Sequence, residues 1–154
     1  MPTVKKSKKV QSSTTYTNMF LAYAAFWRRG FTQWAGTSSR SEFWWTILVN
    51  TLIYVMWALV AFLCMAMDFA LTGDVGLMFG LAILLGLIYS IVIVIPMISL
   101  RTRRLHDAGL SAWWWLLMLL CAVPFASVVA GLVMFIFSLL PTKTDGNPYH
   151  KFNK

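Results

Sequence analysis

Three long apolar runs, at residues 43–67, 77–100 and 113–140, divide this chain, and none contains a charged side chain. Each is longer than the ~18 consecutive apolar residues that mark a membrane span. At a rise of about 1.5 Å per residue, each predicts a helix able to cross a hydrocarbon core of roughly 30 Å with some tilt. Residues 18–34 carry a different pattern. Phe20, Tyr23, Ala24, Trp27, Phe31 and Trp34 recur at spacings of three and four, which sets them on one helical face, with Arg28, Arg29, Thr32 and Gln33 largely elsewhere. This stretch is too short to cross a bilayer. An aromatic face beside arginines predicts a helix lying in the headgroup plane, weakened in its middle by Gly30 and therefore expected as two short pieces.

The fold class that follows is an all-α membrane protein, with three transmembrane helices preceded by an interfacial amphipathic aromatic helix. Residues 1–17, rich in Lys, Ser and Thr, are expected to be a disordered basic arm. Residues 18–142 form one membrane domain, and 143–154 a polar tail. The first long run starts only near Phe43, so removal as a signal peptide is not expected. The third run contains Pro124. Two crossings would need about forty residues, so a single tilted or kinked crossing is expected.

Composition agrees with lipid as the main solvent. Hydrophobic residues make up 59% of the chain and charged residues only 12%, where a soluble domain carries about 25% charged. Mean hydropathy is +0.70. The net charge of +8 is segregated. Lys5, Lys6, Lys8, Lys9, Arg28, Arg29 and Arg40 precede the first run, Arg101, Arg103 and Arg104 separate the second from the third, and Lys143, Lys151 and Lys154 close the chain. The loop between the first two runs holds Asp68 and Asp74 and no cation. Arginine-rich short loops stay in the cytoplasm, which predicts a cytoplasmic N-terminus and, with three crossings, a C-terminus on the far side. Basic groups that flank spans point to the bilayer, and to anionic phospholipid, rather than to nucleic acid.

Cys64 and Cys121 lie inside apolar runs without metal-ligand spacing, and no cofactor is expected. No ionisable residue lies near the middle of a run, which argues against a proton-coupled transporter or a selective ion channel. Small residues recur every fourth position as Ala82, Gly86 and Ser90 in the second run and as Ala122, Ala126 and Ala130 in the third. Such ridges let backbones approach closely, so the two are expected to pack on each other, within one chain or between copies of a homo-oligomer.

Charged residues gather at one predicted face. Arg40 and Glu42 precede the first run, and Arg101, Arg103, Arg104, His106 and Asp107 follow the second. Asp107 is within helical reach of Arg103 and Arg104, and Glu42 within reach of Arg101, Arg103 or Arg104 across the bundle; Arg40 is expected to pair with Asp107. Gly109 reads as a helix stop and Ser111 as the next N-cap. Trp44, Trp45, Trp113, Trp114 and Trp115 stand where indole rings favour the interface. The expected role is non-enzymatic: the cluster holds the bundle together and touches anionic lipid. One alternative makes Arg40, Arg101, Arg103 and Arg104 a phosphate-binding site; another makes the chain a small pore-forming, holin-like protein. A third casts His106 as a general base with Asp107 or Glu42 behind it, but no nucleophile or metal set accompanies it.

Ser-Arg-Ser-Glu-Phe-Trp-Trp, from Ser39, and Arg-Arg-Leu-His-Asp-Ala-Gly-Leu-Ser-Ala-Trp-Trp, from Arg103, resemble the small bacterial inner-membrane family called "domain of unknown function 805". The tail Gly146-Asn147-Pro148-Tyr149 is similar to that family's Gly-x-Asn-x-Tyr ending. The resemblance extends over roughly residues 16–149. Thr37 stands where the family usually has arginine, and Ala112 where it has glycine. What the resemblance implies is location in a bacterial inner membrane and a multi-pass architecture, without an activity.

Overall fold

A computed structural model of the chain describes residues 14–114, 124–143 and 146–149, with side chains omitted at 124–127. Its helices are α1 (Met19–Gly30), α2 (Arg40–Thr72), α3 (Leu77–Asp107) and α4 (Pro124–Leu139). Of these, α2 and α3 are long and apolar enough to cross a membrane, with mean hydropathy of 2.3 and 2.8 over their most apolar windows. Only 11% and 17% of those windows are buried within the chain. Val55, Phe62, Leu87 and Ile91 accordingly point outwards. The core helix of a soluble protein would be covered, whereas apolar belts of this extent require lipid around them.

The α2–α3 hairpin is closed by side-chain chemistry that the apolar pattern hid. Gly73 ends α2 in the left-handed conformation (φ 77°), its N–H bonded to Phe69 O. Gly76, at the N-cap of α3, has no side chain to offer the free N–H groups there. Asp68 takes over that task from α2, its Oδ2 accepting from Phe79 N at 2.8 Å. It is therefore a buried helical residue rather than the edge of the loop.

The inner face of α3 runs through Ala82, Gly86, Tyr89, Ile93, Pro96, Leu100, Arg103 and Asp107. Steps of four and three alternate along it, the spacing of a left-handed helix pair. At Gly86 a Cβ would fall 2.5 Å from Trp57 Nε1. That indole donates to Ala82 O at 3.2 Å, and the Ser90 hydroxyl lies 3.3 Å from Tyr54 OH. The Ala82–Gly86–Ser90 ridge thus packs against α2, where Trp57 fills the room that Gly86 leaves. Ala130 is buried in α4. Ala122 and Trp115 lie outside the described residues, as does the side chain of Ala126.

α1 is a single helix whose last residue is Gly30. Asn18 caps it, its side chain accepting from Phe20 N at 2.8 Å. The expected aromatic face is turned: Ala22, Ala25, Phe26 and Gly30 face the other helices, while Phe20, Ala24, Phe31 and Trp34 are exposed. Small residues win the inner face because they permit close backbone approach. Gly30 sits against Pro96, where a Cβ would fall 2.3 Å from Pro96 Cβ and 2.8 Å from Pro96 Cα. Phe26 joins Phe43, Ile93 and Leu100 in the core shared by α1, α2 and α3. Beside it, Tyr89 OH donates to Asn50 Oδ1 at 2.7 Å and meets Tyr23 OH at 3.0 Å, so a phenol–amide trio ties the same three helices.

The third apolar run does not follow the single tilted or kinked crossing expected from its length. Trp114 and Phe137 stack edge-on with ring centroids 5.0 Å apart. A continuous helix would separate them by about 34 Å at the usual rise. α4 begins at Pro124 and returns to the end of the hairpin that carries Arg40 and Asp107, where Arg104 Nε donates to Ser138 O at 3.1 Å. Residues 142, 143 and 146–149 consequently lie at the same end as the start of α2, opposite to the position a single crossing requires.

Gly30→Ala should destabilise the protein by about 1–3 kcal/mol, because the contacting Pro96 atoms include backbone and cannot rotate away. Gly80→Ala, which meets open space, should leave stability unchanged or slightly raised. Thermal melting in detergent micelles distinguishes the two.

Candidate functional site

Ser39 starts α2, its Oγ accepting from Glu42 N at 3.3 Å. This Ser-x-x-Glu spacing is that of a capping box, but the Glu42 carboxylate does not return to the cap. It points inwards and is fully buried. Arg29 Nη1 reaches Oε2 at 2.7 Å and Arg103 Nη1 reaches Oε1 at 2.8 Å. Three segments distant in sequence thereby meet on one carboxylate. The remaining Arg29 donors are held by Gln33 Oε1 at 2.8 Å and Thr37 O at 2.7 Å. Ser38 N donates to Arg103 O at 3.1 Å, pinning the α1–α2 connection to α3.

A second pair lies on the neighbouring turn. Arg104 Nη1 bonds Asp107 Oδ2 at 2.7 Å. Arg104 also donates through Nε to Ser138 O and through Nη2 to Leu140 O, so its whole guanidinium clamps the end of α4. The Thr142 hydroxyl donates to the same Asp107 oxygen at 2.6 Å.

The end of α3 explains the sequence that follows it. Gly109 has φ 76°. Its N–H bonds His106 O at 3.0 Å and that of Leu110 bonds Leu105 O at 2.9 Å, a Schellman ending. The tail completes the cap: Lys143 N donates to Asp107 O at 2.9 Å and Asn147 Nδ2 to His106 O at 2.8 Å. Tyr149 then lies flat on His106, ring centroids 3.9 Å apart and planes 4° from parallel. The described part of the polar tail, residues 143 and 146–149, is thus docked on the cluster. Residues 14–16 are drawn to the same end, where the Ser39 hydroxyl donates to Thr14 O and Trp45 Nε1 to Tyr16 O.

Among the predicted residues, Glu42, Arg103, Arg104, His106 and Asp107 come together in the interior. Arg40 and Arg101 remain exposed at its edge. Glu42 takes Arg103 from the three arginines expected, and its second partner is Arg29. Asp107 takes Arg104, while its expected partner Arg40 faces outwards. Both carboxylates are committed to arginine, and His106 Nδ1 faces Gly36 O at 3.3 Å, so the imidazole–carboxylate pair of a general base is not formed. Of the aromatics, Trp113 is exposed, Trp44 meets Phe135 edge-on at 6.0 Å, and Trp45 is half-buried. Arg29, Thr46, Asn50, Thr142 and Asn147 were not anticipated. Glu42, Thr46 and Asn50 recur every fourth residue, a polar stripe in an apolar helix that marks the inward face.

His106 lies six residues beyond the apolar stretch 77–100. Burial lowers its pKa from the ordinary value, against smaller opposing effects of the Gly36 and Ala35 carbonyls. The unfolded chain therefore binds the proton first, and folding stability is present above the ordinary histidine pKa of about 6.5 and lost as pH falls below it towards the lowered value. Melting in detergent at a pH series from about 8 to about 5 should show that loss, and His106→Gln should flatten it. An unchanged slope in the variant would assign the pH dependence to another group.

Over residues 31–151 the sequence matches the family described as "Protein of unknown function (DUF805)". It is 32% identical over 103 residues to the inner membrane protein YhaH of Escherichia coli strain K12, spanning 67% of this chain and 72% of that protein. The same values hold for YhaH of Escherichia coli O157:H7. No solved structure matches. The matched interval contains all of α2 and α3 together with Glu42, Arg103, Arg104, Asp107 and the docked tail, and the chain belongs to the DUF805 family.

Proposed function

We propose that this chain is a multi-pass inner-membrane protein without enzymatic activity, whose cytoplasmic-face cluster locks the helices together and contacts anionic lipid. The observation that carries this reading is the Arg29–Glu42–Arg103 triad, in which one fully buried carboxylate joins α1, α2 and α3. Charges withdrawn from water are tolerated only when paired, and removing one partner leaves the other stranded. Arg28, Arg40 and Arg101 are exposed around this end and present cations to headgroups. Exposed Phe31, Trp34 and Trp113 favour interfacial depth near these charges. The positive-inside bias supports a cytoplasmic position for this end, and the contacts of Lys143 and Asn147 with the end of α3 support a C-terminus on the same side.

Exchange of the central pair tests the lock. Glu42→Arg and Arg103→Glu should each cost about 3–5 kcal/mol of stability, read as loss of folded protein in detergent. The double exchange again places one carboxylate between two guanidinium groups and should recover much of that loss. Two independent, additive losses would remove the proposal. For topology, a fluorescent reporter fused to the C-terminus should fold in the cytoplasm, and a periplasm-dependent phosphatase at the same point should stay inactive. The reverse pattern would overturn the proposed orientation.

A further inference from the structure

Beside the locked charges, α2, α3 and α4 enclose a cleft of about 300 Å³. Its walls are mainly apolar, from Phe43 and Ile47 on α2, Leu105 on α3, and Met134 and Phe135 on α4. Two arginines, Arg101 and Arg104, complete it. They differ in their commitments. Each of the three Arg104 nitrogens is already engaged, by Asp107, Ser138 O and Leu140 O, so this side chain is held in place and contributes mainly shape and field. Arg101 is exposed at the cleft and pairs with no carboxylate among the described residues. A guanidinium with its donors free beside an apolar slot matches an amphiphile with a phosphate at one end and hydrocarbon at the other.

We infer that this cleft holds one anionic glycerophospholipid, its phosphate on Arg101 and one acyl chain between α2 and α4. This rests on the cytoplasmic-face lipid contact proposed above and narrows it to a single site with a stoichiometry of one. The bilayer is the source of the ligand, because the slot is too apolar to favour a free phosphate and the helices that form it carry lipid-facing belts. Gly131 provides the independent handle. It lines the cleft, and a Cβ built there meets nothing within 4 Å among the described residues, so a larger side chain there is directed at the cleft's occupant.

The test uses the full-length protein in nonionic detergent, with phosphatidylglycerol or phosphatidylcholine added and bound lipid counted by native mass spectrometry. One phosphatidylglycerol per chain should be retained at about tenfold lower concentration than phosphatidylcholine, whose choline cation offsets its phosphate charge beside Arg101. Arg101→Gln should abolish that preference. Gly131→Leu should lower occupancy by both lipids while the melting temperature stays at or above that of wild type. Arg28→Gln, an exposed cation away from the cleft, should change nothing. Equal retention of the two lipids by wild type would overturn the inference, as would undiminished occupancy in folded Gly131→Leu or an Arg28→Gln effect as large as that of Arg101→Gln. Displacement of the lipid by millimolar inorganic phosphate alone would overturn the acyl-chain assignment. Should the charge exchange behave as a lock while these lipid measurements fail, only the single-site inference falls.

Discussion

The Glu42 carboxylate is the constraint around which the rest is arranged. It is fully buried at the end of a helix whose neighbouring turns are apolar. A bare carboxylate withdrawn from water there would lack hydrogen-bond partners, which is costly. Two arginines settle the matter, each approaching a different oxygen. Because Arg29 ends α1 and Arg103 nears the end of α3, satisfying one carboxylate fixes the relative register of three helices. Apolar contacts in lipid specify register poorly, since a helix loses little by sliding against equally apolar neighbours. Directional ion pairs supply what greasy surfaces lack, although their net contribution to stability is smaller than their number suggests.

The same principle is repeated at lower charge along the bundle. Asn50 with Tyr23 and Tyr89, Trp57 with the Ala82 carbonyl, and Asp68 with the first turn of α3 each join two or more helices through a polar group turned inwards. Most Leu, Val and Ile side chains of α2 and α3 face outwards instead. The chain is organised inversely to a soluble domain, with specificity inside and hydrocarbon outside.

Much of this was legible. Charge-free runs identified α2 and α3, and the spacing around Asp107 anticipated its pairing with Arg104. Gly109 was readable as a stop because a left-handed residue after a basic helix end has few alternatives. Arg29 escaped because helical periodicity assigned it to the polar side of an amphipathic helix, where a solvated cation is the ordinary outcome. Its partner lies thirteen residues on, in a different helix, and only tertiary packing brings them together. The third run misled for a related reason. Length and hydropathy cannot tell a crossing from a segment that turns back, and the decisive contacts, Trp114 on Phe137 and Arg104 on the end of α4, are between residues distant in sequence.

That turning back simplifies biogenesis. The described loop at the far end of the α2–α3 hairpin is residues 73–76, a stretch with one acidic side chain and no basic one. An insertion machine handling this chain has almost no hydrophilic cargo to export there. In the topology proposed above, the arginine turn after α3 remains where it was synthesised while two helices slip in as a pair. Assembly of the ion triad then needs no charged group to pass through hydrocarbon, because all three of its members begin on the side where they end.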